Sequence, residues 1–222
     1  MFNGIAQAKG RVLEVVDQPS GKRLVIARPS RTFGKGKIEE GDSICVSGVC
    51  LTVVHVDAQS LAFDVITETL SKSTLGMLSA GDPVNLETSL TADTPISGHF
   101  VQGHVEGVGT VTDVQSGADH RISIEAPAEL HHYIIPKGSV ALDGVSMTIA
   151  EVGPVGFDVA VIPTTLSMTT LGNAERGTKL NVETDVLCRT VVETVRRMAN
   201  ESEKGGGGGV TVERLRGAGF IK

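Results

Sequence analysis

The stretch GDSICVSGVCLTV at residues 41–53 recurs in altered form as GSVALDGVSMTI at residues 138–149. Gly48 and Thr52 in the first copy match Gly144 and Thr148 in the second, and each pair is 96 positions apart. The same separation relates TLG at 74–76 to TLG at 170–172, and NLET at 85–88 to NVET at 181–184. This succession of matches indicates a tandem duplication of a unit of roughly 100 residues, and two copies are too few for a solenoid.

Each unit has the sequence pattern of a small β-barrel. The first unit contains six short apolar runs, which turn residues such as Gly81 and Asp82 separate. The predicted strands lie at residues 11–16, 23–26, 43–46, 51–56, 61–66 and 83–87. Six short strands favour a closed barrel, because closure leaves no exposed sheet edge. We therefore predict an all-β chain of two tandem six-stranded barrels, with a linker near residues 89–97.

The C-terminal end of the chain departs from the β pattern. Residues 185–200 predict a helix with Asp185 as its N-cap. Its apolar residues at near-helical spacing are Leu187, Val191, Val195 and Met198. Two interpretations stay open, a helix packed on its own barrel and an oligomerisation helix. The Gly205–Gly209 run predicts a flexible linker, and residues 210–220 predict either a short helix or a disordered tail.

Composition excludes several classes of function. The formal net charge is −6, whereas nucleic acid and anionic membranes require a basic excess. Aromatic residues make up 3% of the chain and Trp is absent, which argues against a platform for stacked bases. No apolar run approaches membrane-spanning length, and the start shows no secretory signal. Three cysteines, an odd number, indicate free thiols in a reducing compartment, so a cytoplasmic protein is expected.

The two units differ at polar positions that could carry chemistry. Cys50 corresponds to Ser146, and Ile5 corresponds to His104. Two similar pockets with different tasks would diverge in this way, but ordinary drift would give the same differences. The sequence alone leaves both explanations open.

Metal-binding spacing is absent from the sequence. His99 and His104 are five positions apart, which on an extended strand directs them to opposite faces. Cys45 and Cys50 lack the spacing of a zinc site, and Cys188 stands apart from both. No metal site is therefore predicted.

A set of motifs distributed over both units occurs in the order of one known family. The motifs are MFNGI at 1–5, GVCLT at 48–52, ETL at 68–70, GHFVQGHVEG at 98–107, DGVSMT at 143–148 and TTLG at 169–172. Over about residues 1–200 the chain thus resembles riboflavin synthase of the alpha-chain type, in the lumazine-binding barrel family. Each motif is weak alone, but together they are highly specific.

The resemblance implies Greek-key barrels and a homotrimer built around the C-terminal helix, with each site between the N-terminal barrel of one subunit and the C-terminal barrel of the next. It implies a transferase reaction (EC 2.5.1.9) without a cofactor or metal. In it a four-carbon unit passes between two 6,7-dimethyl-8-ribityllumazine molecules, which yields riboflavin and 5-amino-6-(D-ribitylamino)uracil. Two copies of one substrate need two similar pockets, and donor and acceptor roles need those pockets to differ. Association with lumazine synthase is a further partner that the resemblance suggests.

The resemblance also implies the residues of each pocket. The C-terminal pocket would be lined by Gly4, Ile5, Ala6, Lys137, Ser146, Met147, Thr148, Val161, Ile162, Pro163, Thr164, Thr165 and Leu166. The N-terminal pocket would be lined by Cys50, Leu51, Thr52, Asp64, Val65, Ile66, Thr67, Glu68, Thr69, Gly103, His104 and Val105. The catalytic groups would be Ser43, Cys50, His99, His104, Ser146, Thr148 and Asp185, with Phe2 closing over the paired rings. The 7-methyl group of the lumazine is acidic, so the protein mainly positions two substrates and moves protons.

One alternative function shares the same fold, a non-catalytic lumazine- or flavin-binding protein. The retained His104 and Ser146 favour the enzyme, and Thr164, where the family often has Glu, removes no proposed catalytic group. The expected domains are an N-terminal barrel (1–96), a C-terminal barrel (97–186), a trimerisation helix (187–202) and a Gly-rich flexible tail (203–222). The expected location is the cytoplasm, or a plastid if a transit peptide has been removed.

Overall fold

The computed structural model describes residues 1–29, 33–36, 38–117, 119–204 and 216–217. The strands of the first unit are β1 (Ala8–Gln18), β2 (Gly21–Ala27), β3 (Ser43–Val46), β4 (Val49–Val56), β5 (Ser60–Ile66) and β6 (Pro83–Thr88). Those of the second unit are β7 (Gly107–Gln115), β8 (Arg121–Glu125), β9 (Ser139–Leu142), β10 (Val145–Val152), β11 (Gly156–Ala160) and β12 (Lys179–Thr184). The α-helices are α1 (Thr67–Lys72), α2 (Pro163–Met168) and α3 (Val186–Lys204). The Gly205–Gly209 run, predicted to be a flexible linker, lies outside the described residues.

The twelve described strands form two closed antiparallel barrels of the same topology. The N-barrel closes in the order β1-β2-β5-β4-β3-β6, and the C-barrel in the equivalent order β7-β8-β11-β10-β9-β12. In both barrels the chain therefore leaves the simple meander order, as in a Greek key. The prediction of two six-stranded Greek-key barrels followed by a helix is confirmed.

Bulges at matched places close each barrel. The register shifts between Val53 and His55 in β4 and between Ile149 and Glu151 in β10. An extra residue bends a strand and increases its twist, which helps a short sheet to close. The interiors are packed with apolar side chains, including the fully buried Phe63 in the N-barrel. The interiors are therefore apolar cores, and the polar strand residues that alternate with these apolar side chains face outward.

Two asparagine side chains, one from each barrel, make hydrogen bonds to the backbone of the other barrel. The Asn85 side-chain amide donates to the Asp143 carbonyl at 3.0 Å, and its carbonyl accepts from the Thr170 amide at 2.8 Å. In the opposite direction, the Asn181 side-chain amide donates to the Ser47 carbonyl at 2.7 Å. The two asparagines are repeat equivalents, so the barrels are related by a local pseudo-twofold axis.

The chain divides into two compact units, residues 1–186 with both barrels and residues 187–222 with nearly all of α3. Four apolar side chains of α3 are each more than half exposed: Leu187, Val191, Val195 and Met198. The predicted helix is thus present, and its apolar residues at helical spacing are largely exposed. Among the described helices, none combines the length and apolar character needed to cross a membrane.

Candidate functional site

The outer face of β3 and β4 carries the polar candidates of the N-barrel. Ser43 pairs with Thr52, and Cys45 pairs with Cys50, across the two strands. Side chains alternate along a strand, so the neighbouring Leu51 points into the packed interior while these four point outward. Ser43, Cys50 and Thr52 therefore share one face of the barrel.

The C-barrel carries the equivalent face on β9 and β10. Ser139 pairs with Thr148, and Ala141 pairs with Ser146. Thr148 is exposed and Ser146 is half-buried, as are Thr52 and Cys50 on the N-barrel. The structure thus presents two outer faces of the same design, with a thiol on one and a hydroxyl at the corresponding place on the other.

Two short segments, leading loop 1 (residues 2–6) and leading loop 2 (residues 101–105), complete these faces. The Ser146 amide donates to the Gly4 carbonyl at 2.7 Å, and the Cys50 amide donates to the Gly103 carbonyl at 2.9 Å. Each loop precedes the strands of its own barrel but packs on the outer face of the other barrel. The sequence repeat gives no sign of this exchange.

Glycine is required at both contacts. Gly4 has φ +73° and Gly103 has φ +79°, in the left-handed region that side chains disfavour. A Cβ atom would lie 2.6 Å from the Ser146 Cβ at Gly4, and 2.5 Å from the Cys50 Cβ at Gly103. The backbone of each leading loop therefore lies directly against the polar centre of the opposite barrel.

The residues after each glycine extend the same surfaces. Ala6 packs against the core of the C-barrel and Val105 against that of the N-barrel. Ile5 and His104, the repeat-equivalent pair, are both exposed beside these contacts. The structure thus brings Gly4–Ala6 together with Ser146–Thr148, and Gly103–Val105 together with Cys50–Thr52.

A buried carboxylate holds each leading loop. Glu87 Oε1 accepts from the Asn3 amide at 2.7 Å, and Glu87 Oε2 accepts from the Gly4 amide at 3.0 Å. Burial raises the Glu87 pKa to about 7, and the hydrogen bonds from these amides act in the opposite direction.

Leading loop 2 is held in the same way in the second unit. Glu183 accepts from the Gln102 amide at 2.6 Å and from the Gly103 and His104 amides at 2.9 Å each. Burial likewise raises the pKa of Glu183, against the three amide hydrogen bonds. In both carboxylates, therefore, burial raises the pKa and the backbone hydrogen bonds lower it.

On the C-barrel face a histidine is hydrogen-bonded to the serine hydroxyl, an arrangement that the described residues of the N-barrel face do not repeat. His99 Nδ1 lies 2.7 Å from Ser146 Oγ. Burial lowers the pKa of His99, and the nearby charge of Asp185 opposes this shift. The neutral imidazole therefore dominates at neutral pH. The structure brings together three predicted catalytic residues, Ser146, His99 and Asp185.

The short helices α1 and α2 follow β5 and β11, the strands that neighbour β4 and β10. Ile66 and Ile162, which immediately precede these helices, are exposed, as are Thr67, Pro163 and Thr164. Thr165 and Leu166 of α2 are half-buried, like Thr69 of α1. These residues present apolar and hydroxyl groups beside each outer face.

Two of the acidic candidates are paired with cations. Asp64 accepts from Arg23 Nε at 2.7 Å, and this bond lowers the pKa of Asp64. Glu68 accepts from Lys72 Nζ at 2.8 Å, which lowers the pKa of Glu68. Both carboxylates are therefore ionised and already engaged at neutral pH.

Several predicted contact residues are placed with their side chains away from the outer faces. The side chain of Phe2 is fully buried with Cys45, Val101 and Ala141 between the barrels, and its backbone pairs with that of Val101. The side chains that instead lie in the barrel cores are Leu51, Val65, Met147 and Val161. These four side chains are covered within their own barrels.

Lys137 and an open groove add to the surroundings of the two faces. Lys137 is exposed at φ +64° in the turn before β9, where the first unit has Gly41. A groove of about 690 Å³ beside the N-barrel is lined by Ile5, Ser43 and Glu87, among other residues. This groove joins the outer part of leading loop 1 to Ser43.

Sequence reasoning gave no role to Glu87, Glu183 or Asp143. The only signal was the repeated NxET motif, in which both glutamates occupy the same place. The function of that motif depends on the leading loops, which are about 80 residues away along the chain.

Comparison with known proteins identifies relatives along nearly the whole chain. Residues 3–89 and 102–185 both match the family model of the lumazine-binding domain. Riboflavin synthase of Mycobacterium tuberculosis is 41% identical over 203 residues, which cover 88% of this chain and 98% of that protein. Riboflavin synthase of Chlamydia pneumoniae is 37% identical over 204 residues, which cover 92% of this chain and 100% of that protein.

A solved structure shows the same architecture. LumP complexed with 6,7-dimethyl-8-(1'-D-ribityl) lumazine has a TM-score of 0.74 and 27% sequence identity. The match covers 83% of this chain and 99% of LumP. The two segments matched by the family model contain both outer faces and both contact glycines.

Proposed function

Because the chain belongs to the lumazine-binding family of riboflavin synthases, we propose that it forms riboflavin from two molecules of 6,7-dimethyl-8-ribityllumazine. The observation that carries this proposal is the pair of outer faces, each completed by the leading loop of the other unit. Two faces of one design suit two copies of one substrate. Their differences, Cys50 against Ser146 and His104 against Ile5, suit the unlike roles of donor and acceptor.

Each lumazine would lie against one outer face. One would contact residues 50–52 and 103–105, and the other residues 146–148 and 4–6. The exposed Thr52 and Thr148 hydroxyls, together with backbone amides and carbonyls, would hydrogen-bond the uracil-like edge of each ring. Ile66 and Ile162 would supply apolar contact to the rings.

The reaction moves two ring carbons and their two methyl groups from the donor to the acceptor. The acceptor's own methyl groups lose four protons, which the nitrogen atoms of the donor-derived product take up. The acceptor becomes riboflavin, and the donor leaves as 5-amino-6-(D-ribitylamino)uracil. Together the two products contain all the atoms of the two substrates, so the overall reaction needs no external oxidant or reductant. The protein's contribution is to hold the rings in register and to move protons.

Proton transfer on the C-barrel face is assigned to His99 and Ser146. The neutral imidazole of His99 can accept the proton of the Ser146 hydroxyl, which then activates water or the substrate. The charge of Asp185 stabilises the imidazolium form that results. On the N-barrel face, His104 is the corresponding acid or base, with Cys50, Ser43 and Thr52 around it.

The complete site is proposed to form between subunits of a homotrimer. The exposed apolar stripe of α3 supports assembly through that helix, and the exposed Thr52 and Thr148 support faces that a second subunit covers. Association with lumazine synthase rests on the family resemblance alone. A cytoplasmic location is proposed from the bacterial relatives.

The direct test is to incubate the purified protein with 6,7-dimethyl-8-ribityllumazine and follow riboflavin by its absorbance. We expect product at micromolar protein without an added cofactor. Tight binding of the lumazine without product would contradict the proposal and favour the alternative, a non-catalytic lumazine- or flavin-binding protein.

A further inference from the structure

Glu87 and Glu183 stand on the last strand of each barrel, in the sequence motif that both units share. Both residues are almost completely buried, at 3% and 2% exposure. Each uses both carboxylate oxygens to accept amides of a leading loop. A buried carboxylate that gathers consecutive backbone amides fixes the path of those residues more tightly than a single hydrogen bond would.

The fixed amides belong to the segments that complete the opposite faces. Glu183 holds Gly103 and His104, and the Gly103 carbonyl accepts from Cys50 of the N-barrel. Glu87 holds Gly4, and the Gly4 carbonyl accepts from Ser146 of the C-barrel. The carboxylate of one barrel is therefore connected to the face of the other barrel through one glycine.

We propose that Glu87 and Glu183 are positioning residues that act across the barrels, so that Glu183 controls ligand affinity at the N-barrel face and Glu87 controls it at the C-barrel face. The identity of the ligand rests on the proposed function. Each carboxylate acts through the backbone of a leading loop, to which both of its oxygens are hydrogen-bonded.

Replacement by glutamine removes the negative charge and one acceptor oxygen but keeps the volume of the side chain. In Glu183→Gln an NH2 group replaces one of the two carboxylate oxygens. Both oxygens of Glu183 accept from backbone amides, and an NH2 group cannot accept from a donor. At least one amide of leading loop 2 therefore loses its acceptor in either orientation of the glutamine. The same argument applies to Glu87→Gln and the amides of Asn3 and Gly4.

The experiment is a titration of the full-length protein with 6,7-dimethyl-8-ribityllumazine, followed by the backbone amide resonances of Cys50 and Ser146. These two resonances report separately on the N-barrel face and the C-barrel face. In Glu183→Gln we expect the Kd from Cys50 to rise about tenfold and that from Ser146 to stay within about twofold, since a lost buried hydrogen bond is of this size. In Glu87→Gln we expect the reverse. Glu125→Gln, at an exposed position on β8, is the control that should change neither value.

Amide hydrogen exchange without ligand gives a second measurement. Exchange should accelerate at His104 in Glu183→Gln and at Gly4 in Glu87→Gln, while the barrel cores keep their protection. If a glutamine variant does not fold, Glu183→Asp and Glu87→Asp keep the charge and shorten the reach. They should then show the same crossed pattern.

Equal weakening at both resonances, or weakening in the barrel that carries the substitution, would overturn the crossed positioning. The proposed function fails in a different way, through a wild-type protein that makes no riboflavin. Hydrogen exchange tests whether each carboxylate fixes its leading loop even in that case.

Discussion

The backbone amide of Ser146 donates a 2.7 Å hydrogen bond to the carbonyl of Gly4, so the first residues of the chain form part of the second barrel's outer face. The equivalent bond joins Cys50 to Gly103. The two faces therefore depend on contacts between barrels as much as on their own strands.

Replacement of Gly4 by alanine should disrupt the C-barrel face. The new Cβ would meet the Ser146 Cβ at 2.6 Å, and φ is already +73°. We expect a loss of about 2–4 kcal/mol in unfolding free energy, from strain and overpacking, and a drop in riboflavin formation of at least about tenfold. Gly177→Ala is the matched control, because Gly177 also has positive φ but nothing lies within 4 Å of its Cβ position. Equal effects of the two substitutions would refute the importance of the contact.

Cys50→Ser should be milder than His104→Gln. Serine already occupies the equivalent place in the second unit, and its hydroxyl fits beside the same backbone contact. We expect kcat within about threefold for Cys50→Ser, and a loss of about 100-fold or more for His104→Gln, as for a lost acid or base. Steady-state kinetics measures both, and His132→Gln at an exposed position serves as the control. Complete inactivation by both substitutions would contradict the expected asymmetry.

Asp143→Asn should reduce the dependence of stability on pH. Burial raises the pKa of Asp143 to about 7, whereas an unfolded aspartate ionises near 4. Between these pH values the folded protein holds more protons than the unfolded chain, so its unfolding free energy falls as the pH rises.

Asparagine at position 143 keeps a side-chain oxygen that accepts from the backbone amide of Asn181, but it does not ionise. It also tolerates the backbone φ of +45° at this position. Denaturant unfolding between pH 5 and pH 8 should therefore show a decline smaller than that of the wild type by a few kcal/mol, since each tenfold change in an ionisation constant corresponds to about 1.4 kcal/mol. The remaining decline is expected from Glu87, whose pKa burial also raises to about 7, and from Glu183, whose pKa burial raises as well. Parallel curves for wild type and Asp143→Asn would rule out this role, and the exposed Asp17→Asn is the control.

The apolar stripe of α3 should carry subunit assembly. Leu187 and Val191 are each about 60% exposed, and two glutamates there would place charge in a buried interface. We expect Leu187→Glu with Val191→Glu, or truncation at about Asp185, to give monomers in sedimentation velocity. Asn200→Glu, on the opposite side of the helix, should leave the assembly intact. A trimer that persists in the double variant would show that assembly uses another surface.

The barrels could be predicted from the sequence because their signals are local or repeated. Alternating apolar residues mark the strands, and Gly48 and Gly144 mark the same turn in both units. The crossing of the leading loops could not be predicted, because the repeat is equally compatible with each loop lying on its own barrel. The 2.7 Å contact between His99 and Ser146 could not be predicted either, because the two residues are 47 positions apart and only the tertiary fold brings them together.

The packing partners of Phe2 are a second feature that the sequence could not predict. The family resemblance implies a side chain that covers a ligand, which stays a prediction, and the structure shows this side chain buried with Val101. A large apolar side chain near a chain terminus suits either position, and only tertiary packing decides between them.

The hydrogen bonds that Asn85 and Asn181 each make to the other barrel, across the pseudo-twofold axis, couple the stabilities of the two barrels. If one barrel opens, the other loses the hydrogen-bond partners of its asparagine, along with the leading loop that covers its outer face. Neither barrel can therefore reach its full stability while the other is unfolded. Two separate hydrophobic cores should melt in a single cooperative heat-absorption peak, and damage in either half should lower the transition of the whole.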